Sequence, residues 1–379
     1  MILTVATALV FNFTNGFHDT ANAMATTIAT EALPPRRAVG LAAVLNLVGA
    51  FLSVAVAATI ASGIVDQGMI TVPVIFAGLI GAIMWNVITW YAGIPSSSSH
   101  ALVGGVIGSV LVAEGTAGVL WSGLAAKVVA PALVAPFVCG LAALVATRVA
   151  YRSTRRRSEA GVARGFRLSQ ILSSSLVALA HGTNDAQKTM GVIVLTLVAG
   201  GRLAPGSGVP AWVIVTCAIA VALGTFSGGW RVIRTLGTKV TPIAPPQGFS
   251  AETASATTIL ASSFFGFSLS TTQVVSGGVI GTGLARRGGI VHWLVVRRMV
   301  VAWALTVPAA GLIGASAEEM VAAFSSATTG VIAVAIVTTA VLAGIFRIAH
   351  RTNVTAENVL DEVEVPVAGE ALAPVVVTP

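Results

Sequence analysis

Runs of about twenty predominantly apolar residues recur from one end of this chain to the other, the length needed to cross a bilayer core of roughly 30 Å. Eleven can be drawn, at about 1–30, 38–62, 71–93, 100–114, 117–147, 168–200, 210–229, 252–268, 270–285, 290–313 and 325–347. They are too long and continuous for the short alternating strands of a membrane barrel. Charged residues make up 9% of the chain, against about 25% in a soluble domain, so its surface is not built to face water. The expected class is an all-α polytopic membrane protein.

The formal net charge of +7 does not point to nucleic acid, because the basic residues sit between the apolar runs and report topology instead. The strongest cluster, at 148–167, includes Arg148, Arg152, Arg155, Arg156, Arg157, Arg164 and Arg167 and is expected to be a cytoplasmic loop. Threading five runs back and six forward from it puts Arg36 and Arg37, Arg231 to Lys239, Arg286 and Arg287, and Arg347 to Arg351 on the same side. No basic stretch precedes the first run, so a cleaved signal peptide is not expected. The predicted organisation is a first transmembrane repeat at 1–147, the loop at 148–167, a second repeat at 168–313, an additional helix at 314–347 and a disordered acidic tail at 348–379. Cys139 and Cys217 lie far apart inside apolar runs and are read as packing residues.

The halves echo each other. Gly93-Ile-Pro-Ser-Ser-Ser-Ser-His100 followed by Ala-Leu-Val-Gly-Gly-Val-Ile-Gly108 matches Gly266-Phe-Ser-Leu-Ser-Thr-Thr-Gln273 followed by Val-Val-Ser-Gly-Gly-Val-Ile-Gly281 without a gap. Further on, Trp121 and Pro136 fall on Trp293 and Pro308 at nearly the same offset. An earlier motif, Asn15-Gly16-Phe17-His18-Asp19-Thr20-Ala21-Asn22, is repeated more loosely as His181-Gly182-Thr183-Asn184-Asp185-Ala186-Gln187-Lys188. Each half has an odd number of runs, so the second must be inverted. The fold expected is an inverted repeat of two five-span halves with broken or re-entrant helices, plus one C-terminal span. In such architectures the substrate and ion sites lie near the midplane, at the interface of the repeats.

The duplicated motifs are therefore the candidate site. A carboxylate near the bilayer centre costs about 2.5–3.5 kcal/mol even on insertion scales and persists when it holds a cation or proton. Asp19 and Asp185 are expected to do so, with Asn22, Asn184 and Gln187 as amide neighbours. Ser97, Ser98 and Ser99, and Ser270, Thr271 and Thr272, each precede a Gly-rich helix, where hydroxyls and free N–H groups favour an anion. Lys188 either neutralises an oxyanion, pairs with Asp19, Asp185 or Glu252, or snorkels to the interface. Glu252 reads equally as a gate or proton site and as the start of a helix at the membrane surface. His18, directly before Asp19, suits proton coupling. Three motif histidines, His18, His100 and His181, accompany the two aspartates, but their spacing is not read as a ligand pattern, and neither a metal centre nor a cofactor is expected. A Ser–His hydrolase is disfavoured: no Gly-x-Ser-x-Gly elbow occurs, and Gln273 stands where His100 would be repeated.

The two Asp motifs and the two Ser/Thr-rich segments, four motifs in order over roughly 1–347, resemble the inorganic phosphate transporter (PiT) family, and most of all its bacterial low-affinity branch. The resemblance implies import of inorganic phosphate by cation-driven symport, in a bacterial inner membrane, with the motif residues lining the site. His18 stands where sodium-coupled relatives commonly have Asn, which tilts the expectation towards protons. A sodium-coupled phosphate or sulfate symporter is the alternative, transport of a neutral metal–phosphate complex is left open, and so is a homodimer.

Overall fold

The computed structural model describes residues 1–285 and 289–361. Among these it is all-helical, with one isolated bridge between Val65 and Val119. Arg286, Arg287 and the acidic tail beyond Asp361 lie outside the described residues.

The first apolar run is one helix, α1 (Ile2–Ala29), with its Asp motif in the interior. The second was expected to be a single span and is not. It divides into α2 (Pro35–Gly49) and α3 (Ala55–Ser62). The start of α3 is satisfied from across the protein, where Gln187 Oε1 accepts the N–H of Val56 (2.8 Å) and of Ala57 (3.3 Å). Next come α4 (Val72–Tyr91) and α5 (Ser98–Glu114), followed by the short α6 (Trp121–Leu124), which passes through a π turn at Ala125–Val129 into α7 (Ala130–Thr154). Then α8 (Glu159–Ala199) runs 41 residues without a break. The expected basic loop at 148–167 is thus helical on both flanks and turns only at 155–158. α9 (Ala211–Ser227) bends by 62° into α10 (Trp230–Arg234) and its π turn Thr235–Lys239. The chain continues through α11 (Pro245–Phe264), α12 (Thr271–Ala285), α13 (Trp293–Ala322) and α14 (Ala327–Ala349). α13 extends to Ala322 rather than ending near 313, which shortens the additional C-terminal span accordingly.

Among the described residues, five helical segments can cross a membrane by length and composition, or six if the bent pair α9–α10 counts as one. α1, α8 and α11 are long enough but carry polar motifs inside them. Large apolar side chains stand far out on the surface, with Phe137 79% exposed, Phe265 77% and Leu312 70%. Water would not tolerate such a belt and lipid does. The chain is a multi-pass membrane protein.

Among the described residues, three apolar cores hold the helices together: a small one joins Phe76 and Ile80 of α4 to Val321 of α13 and Val334 of α14, and two large ones flank the polar layer. One gathers Ala8 and Phe11 of α1, Leu79 of α4, Leu102 of α5 and Met190 and Ile193 of α8. The other gathers Met24 and Ile28 of α1, Val177 and Ala180 of α8, Ile259 of α11 and Val275 of α12. Both α1 and α8 pass through the two cores, and their Asp motifs fall in the gap between. α4 and α5 form a hairpin in the first core, and α11 and α12 form one in the second. Each turns at a glycine in the left-handed region, Gly93 (φ +64) or Gly266 (φ +70), where a Cβ would be strained. Both tips end at the polar layer. α4–α5 and α11–α12 are therefore two hairpins that approach from opposite cores, with their polar tips shielded by protein rather than lipid.

The second helix of each hairpin packs against a helix from the other half of the chain, at backbone contact. A Cβ on Gly104 or Gly108 of α5 would lie 2.5 Å from Val307 O or 2.0 Å from Gly311 O of α13. A Cβ on Gly277 or Gly281 of α12 would lie 2.2 Å from Pro136 O or 2.0 Å from Gly140 O of α7. Small residues at such crossings supply the packing that lipid-embedded helices rely on.

Candidate functional site

The tips of both hairpins meet α1 and α8 in one buried cluster. Ser97 caps α5 by accepting the N–H of His100 at 3.1 Å, and Ser270 does the same for Gln273 at 3.3 Å. That capping leaves the next two hydroxyls in each segment pointing into the layer. Ser98 donates to Asp19 Oδ2 (2.6 Å) and lies 2.7 Å from Asn15 Oδ1. Thr271 donates to Asp185 Oδ2 at 3.0 Å, and Thr272 to Asp19 Oδ1 at 3.3 Å. Ser99 accepts from Lys188 Nζ at 2.5 Å.

Asp19 is also bonded to His18, whose Nδ1 lies 2.6 Å from Oδ1. The other ring nitrogen of His18 faces Thr89 Oγ1 at 3.2 Å and Ser96 Oγ at 3.4 Å. Asp185 pairs with Lys188 one turn on, and Lys188 Nζ also donates to Leu269 O at 2.8 Å. Of the alternatives open for Lys188, pairing with Asp185 is the one adopted; it does not snorkel. His181 links the two carboxylates, with Nε2 2.9 Å from Asp185 Oδ2 and 4.0 Å from Asp19 Oδ2. These charged side chains are all essentially inaccessible. Buried charges persist only when paired and hydrogen-bonded, and here Asp19 has the His18 imidazole and two hydroxyls, Asp185 has the Lys188 ammonium, the Thr271 hydroxyl and the His181 ring close by, and the ammonium has a carboxylate, a hydroxyl and a carbonyl.

Two expected ligands behave differently from the rest. Asn22 donates to Thr272 Oγ1 (3.0 Å) and lies 3.3 Å from Thr271 Oγ1, and Asn184 donates to Ser263 Oγ at 2.9 Å. The side-chain oxygens of both amides, and the nitrogen of Asn15, are buried without a hydrogen-bond partner. These atoms are left to bond a water or a ligand. Gln187, by contrast, is committed to backbone. Its oxygen caps α3 and its nitrogen donates to Thr183 O at 2.6 Å, so it stands apart from the cluster. Glu252 also stands apart, in a buried pocket of its own rather than at a membrane surface. Its Oε1 accepts from Thr26 (2.6 Å), Thr27 (2.7 Å) and Gln170 (3.0 Å), and its Oε2 accepts from Ser173 at 2.5 Å.

Three members of the cluster, Asn15, His181 and His100, stand in the motifs without a role the sequence assigned to them. Asn15 was visible as the first residue of its motif, and only its distance from Asp19 hid its part. His181 lies four residues before Asp185, which puts both on one helical face; the spacing dismissed above was there. Asp19, His181 and Asp185 each offer a ligand atom, all within 4.8 Å of one another, a geometry that can hold a cation. His100 meets its repeat partner, with Gln273 Nε2 3.4 Å from its Nδ1.

Comparison with known proteins places this geometry in context. A model described as the phosphate transporter family matches residues 15–314. A Mycobacterium tuberculosis protein named "probable low-affinity inorganic phosphate transporter" is 57% identical over 316 residues, covering 83% of this chain and 76% of its own length. Proteins of the same name from Rhizobium meliloti and Bacillus subtilis are 45% and 40% identical, over 93% and 95% of their own lengths and 82% and 83% of this chain. A solved sodium-dependent phosphate transporter superposes with a TM-score of 0.76 at 26% identity, covering 85% of this chain and 98% of that one.

Proposed function

Because the chain belongs to the phosphate transporter family, we propose that it is a secondary active importer of inorganic phosphate in a bacterial cytoplasmic membrane, working as a proton symporter. The observation that carries the coupling is that the hydroxyls suited to an oxyanion are donated to the two carboxylates: Ser98 and Thr272 to Asp19, Thr271 to Asp185. A carboxylate and a phosphate compete for the same donors. Protonating Asp19, with His18 at 2.6 Å as its relay, weakens its hold on Ser98 and Thr272 and frees them for phosphate. The proton also offsets the charge the anion brings into the layer. Substrate and proton are then bound together because each makes room for the other. Lys188, held between Asp185 and Ser99, supplies a fixed positive charge.

The movement that follows is a rocking of two inverted halves about this layer. Its support is the pairing of each hairpin helix with a helix of the opposite half, α5 with α13 and α12 with α7, at repeat-matched glycines. Ser97–Ser99 and Ser270–Thr272, with Asn22 and Asn184, form the substrate shell in this account. Asp19, Asp185 and His18 carry the coupling. Glu252 sits in a pocket of hydroxyl and amide donors at the level of Thr26 and Thr27 and serves as a second proton site. Gln187 is left out of the shell.

Phosphate is favoured over sulfate because hydrogen phosphate can donate a hydrogen bond. The unpartnered oxygens of Asn22 and Asn184 can accept one. Uptake of labelled phosphate into proteoliposomes should resist a tenfold excess of sulfate; equal competition by sulfate would defeat the assignment. A second reading rests on the Asp19–His181–Asp185 grouping, which suits a cation carried with the anion as part of the substrate. Phosphate uptake that requires a divalent cation, and carries it in equal amount, would establish that reading instead.

A further inference from the structure

A crevice of about 770 Å3 opens between the two cross-packed pairs, α5 with α13 and α12 with α7. Its lining holds no charged side chain. Val103 and Ile107 form its buried wall, and Phe137 and Leu141, 79% and 65% exposed, stand at its mouth on the lipid-facing belt. The polar side chains in it are His100 and Gln273, which touch each other where the hairpins meet, and the indoles of Trp293 and Trp303. The Trp303 indole is turned away from an apolar guest by its bond to Pro95 O at 2.9 Å.

We propose that this crevice is a binding site for one acyl chain of a bilayer phospholipid, lying between the two pairs with its end against His100 and Gln273, directly behind the hydroxyl segments. Three arguments choose this occupant. Water needs two to four polar partners for each molecule, and the walls offer almost none. A whole transmembrane helix, a cylinder 10 Å wide and 30 Å long that fills about 2,400 Å3, cannot sink into it. A sixteen-carbon chain, with each methylene close to the roughly 30 Å3 share of a water, needs only about 500 Å3. Hydrocarbon in the crevice restores the dispersion contacts its lining would otherwise forfeit. The two pairs carry the two hydroxyl segments, so the chain lies on the surface along which they must move. Transport then depends on what fills the crevice.

The test uses the whole protein reconstituted in phosphatidylethanolamine and phosphatidylglycerol vesicles doped with a phospholipid bearing a diazirine near the end of one acyl chain. After irradiation, the account expects adducts on Val103 and Ile107, which line the inner wall of the crevice and are otherwise buried. A double variant that fills the crevice, Ala132→Phe with Ala304→Phe, should cut those adducts at least fivefold while adducts on Phe264 and Leu312 stay constant. It should also change the phosphate uptake rate at least twofold. Adducts confined to the outer belt in the wild type would overturn the proposal, as would labelling of Val103 and Ile107 that the filled variant leaves unchanged. A third result would also overturn it by assigning the crevice to a second copy: near-complete disulfide linkage of two Phe137→Cys chains with no labelling inside.

Discussion

Replacing Lys188 with Met keeps a long unbranched side chain and deletes the one ammonium in the polar layer. Asp185 is then a fully buried carboxylate that keeps only Thr271 at 3.0 Å and His181 at 2.9 Å. Leu269 O and Ser99 Oγ lose their charged donor as well. Removing one partner of a buried pair costs about 3–5 kcal/mol, because the other is left uncompensated. At about 2 °C per kcal/mol, the lower end for larger chains, the midpoint of thermal unfolding in detergent should fall by roughly 6–10 °C. Asp185→Asn alone strands Lys188 instead and should cost a similar amount. The decisive comparison is the double variant, Lys188→Met with Asp185→Asn, in which no charge is left unpaired. It should recover at least about 2 kcal/mol relative to the sum of the single changes, the coupling expected of groups in contact. Tryptophan fluorescence during a thermal ramp measures all four proteins. Additive shifts, or a fall of less than about 2 °C for the single changes, would refute the claim that this pair organises the layer.

Other substitutions test other parts of the account. Ser98→Ala and Thr272→Ala should each weaken phosphate binding about ten- to a hundredfold, since a hydrogen bond to a charged group contributes about 1.5–3 kcal/mol; isothermal titration in detergent measures this, and unchanged affinity would remove these hydroxyls from the shell. Glu252→Ala strands four donors, from Thr26, Thr27, Gln170 and Ser173, and should lower the unfolding midpoint markedly, whereas a surface glutamate would scarcely register. Gly108→Leu and Gly281→Leu should each abolish folded yield on size-exclusion chromatography, because their side chains would meet the backbone of Gly311 or Gly140; normal elution would disprove the close crossings. Arg231 bonds to Ala349 O at 2.9 Å and to Thr352 and stacks over Trp90 at 5.6 Å, so Arg231→Ala should expose the segment from 350 to 361 to trypsin and speed its cleavage severalfold.

Much of the site was legible because the same chemistry is written twice. The gapless match of Gly93–Gly108 with Gly266–Gly281 fixed the hydroxyl segments, their capping serines and even the glycines at which both hairpins turn. The Asp motifs could be paired for the same reason. What hydropathy could not reveal was depth. An apolar run such as 71–93 carries no sign of how deep its polar end lies, since the hairpin tip is shielded by protein rather than by a change in composition. The break between α2 and α3 was hidden for a related reason. No Gly or Pro interrupts Phe51-Leu52-Ser53-Val54, and the break is stabilised by Gln187, more than a hundred residues away. Gln187 looked like a substrate ligand for the same reason: its motif is polar, but its partner is long-range. Glu252 was ambiguous because the four side chains that surround it come from α1 and α8, distant in sequence.

The most direct test of the coupling claim is phosphate uptake into proteoliposomes under one imposed gradient at a time, for the wild type and for Asp19→Asn. With an inward proton gradient and no sodium, the wild type should accumulate phosphate, accumulation should vanish when a protonophore collapses the gradient, and Asp19→Asn should not accumulate it at all. Accumulation driven by a sodium gradient at equal pH and indifferent to the protonophore, or a fully active Asp19→Asn protein, would contradict the account.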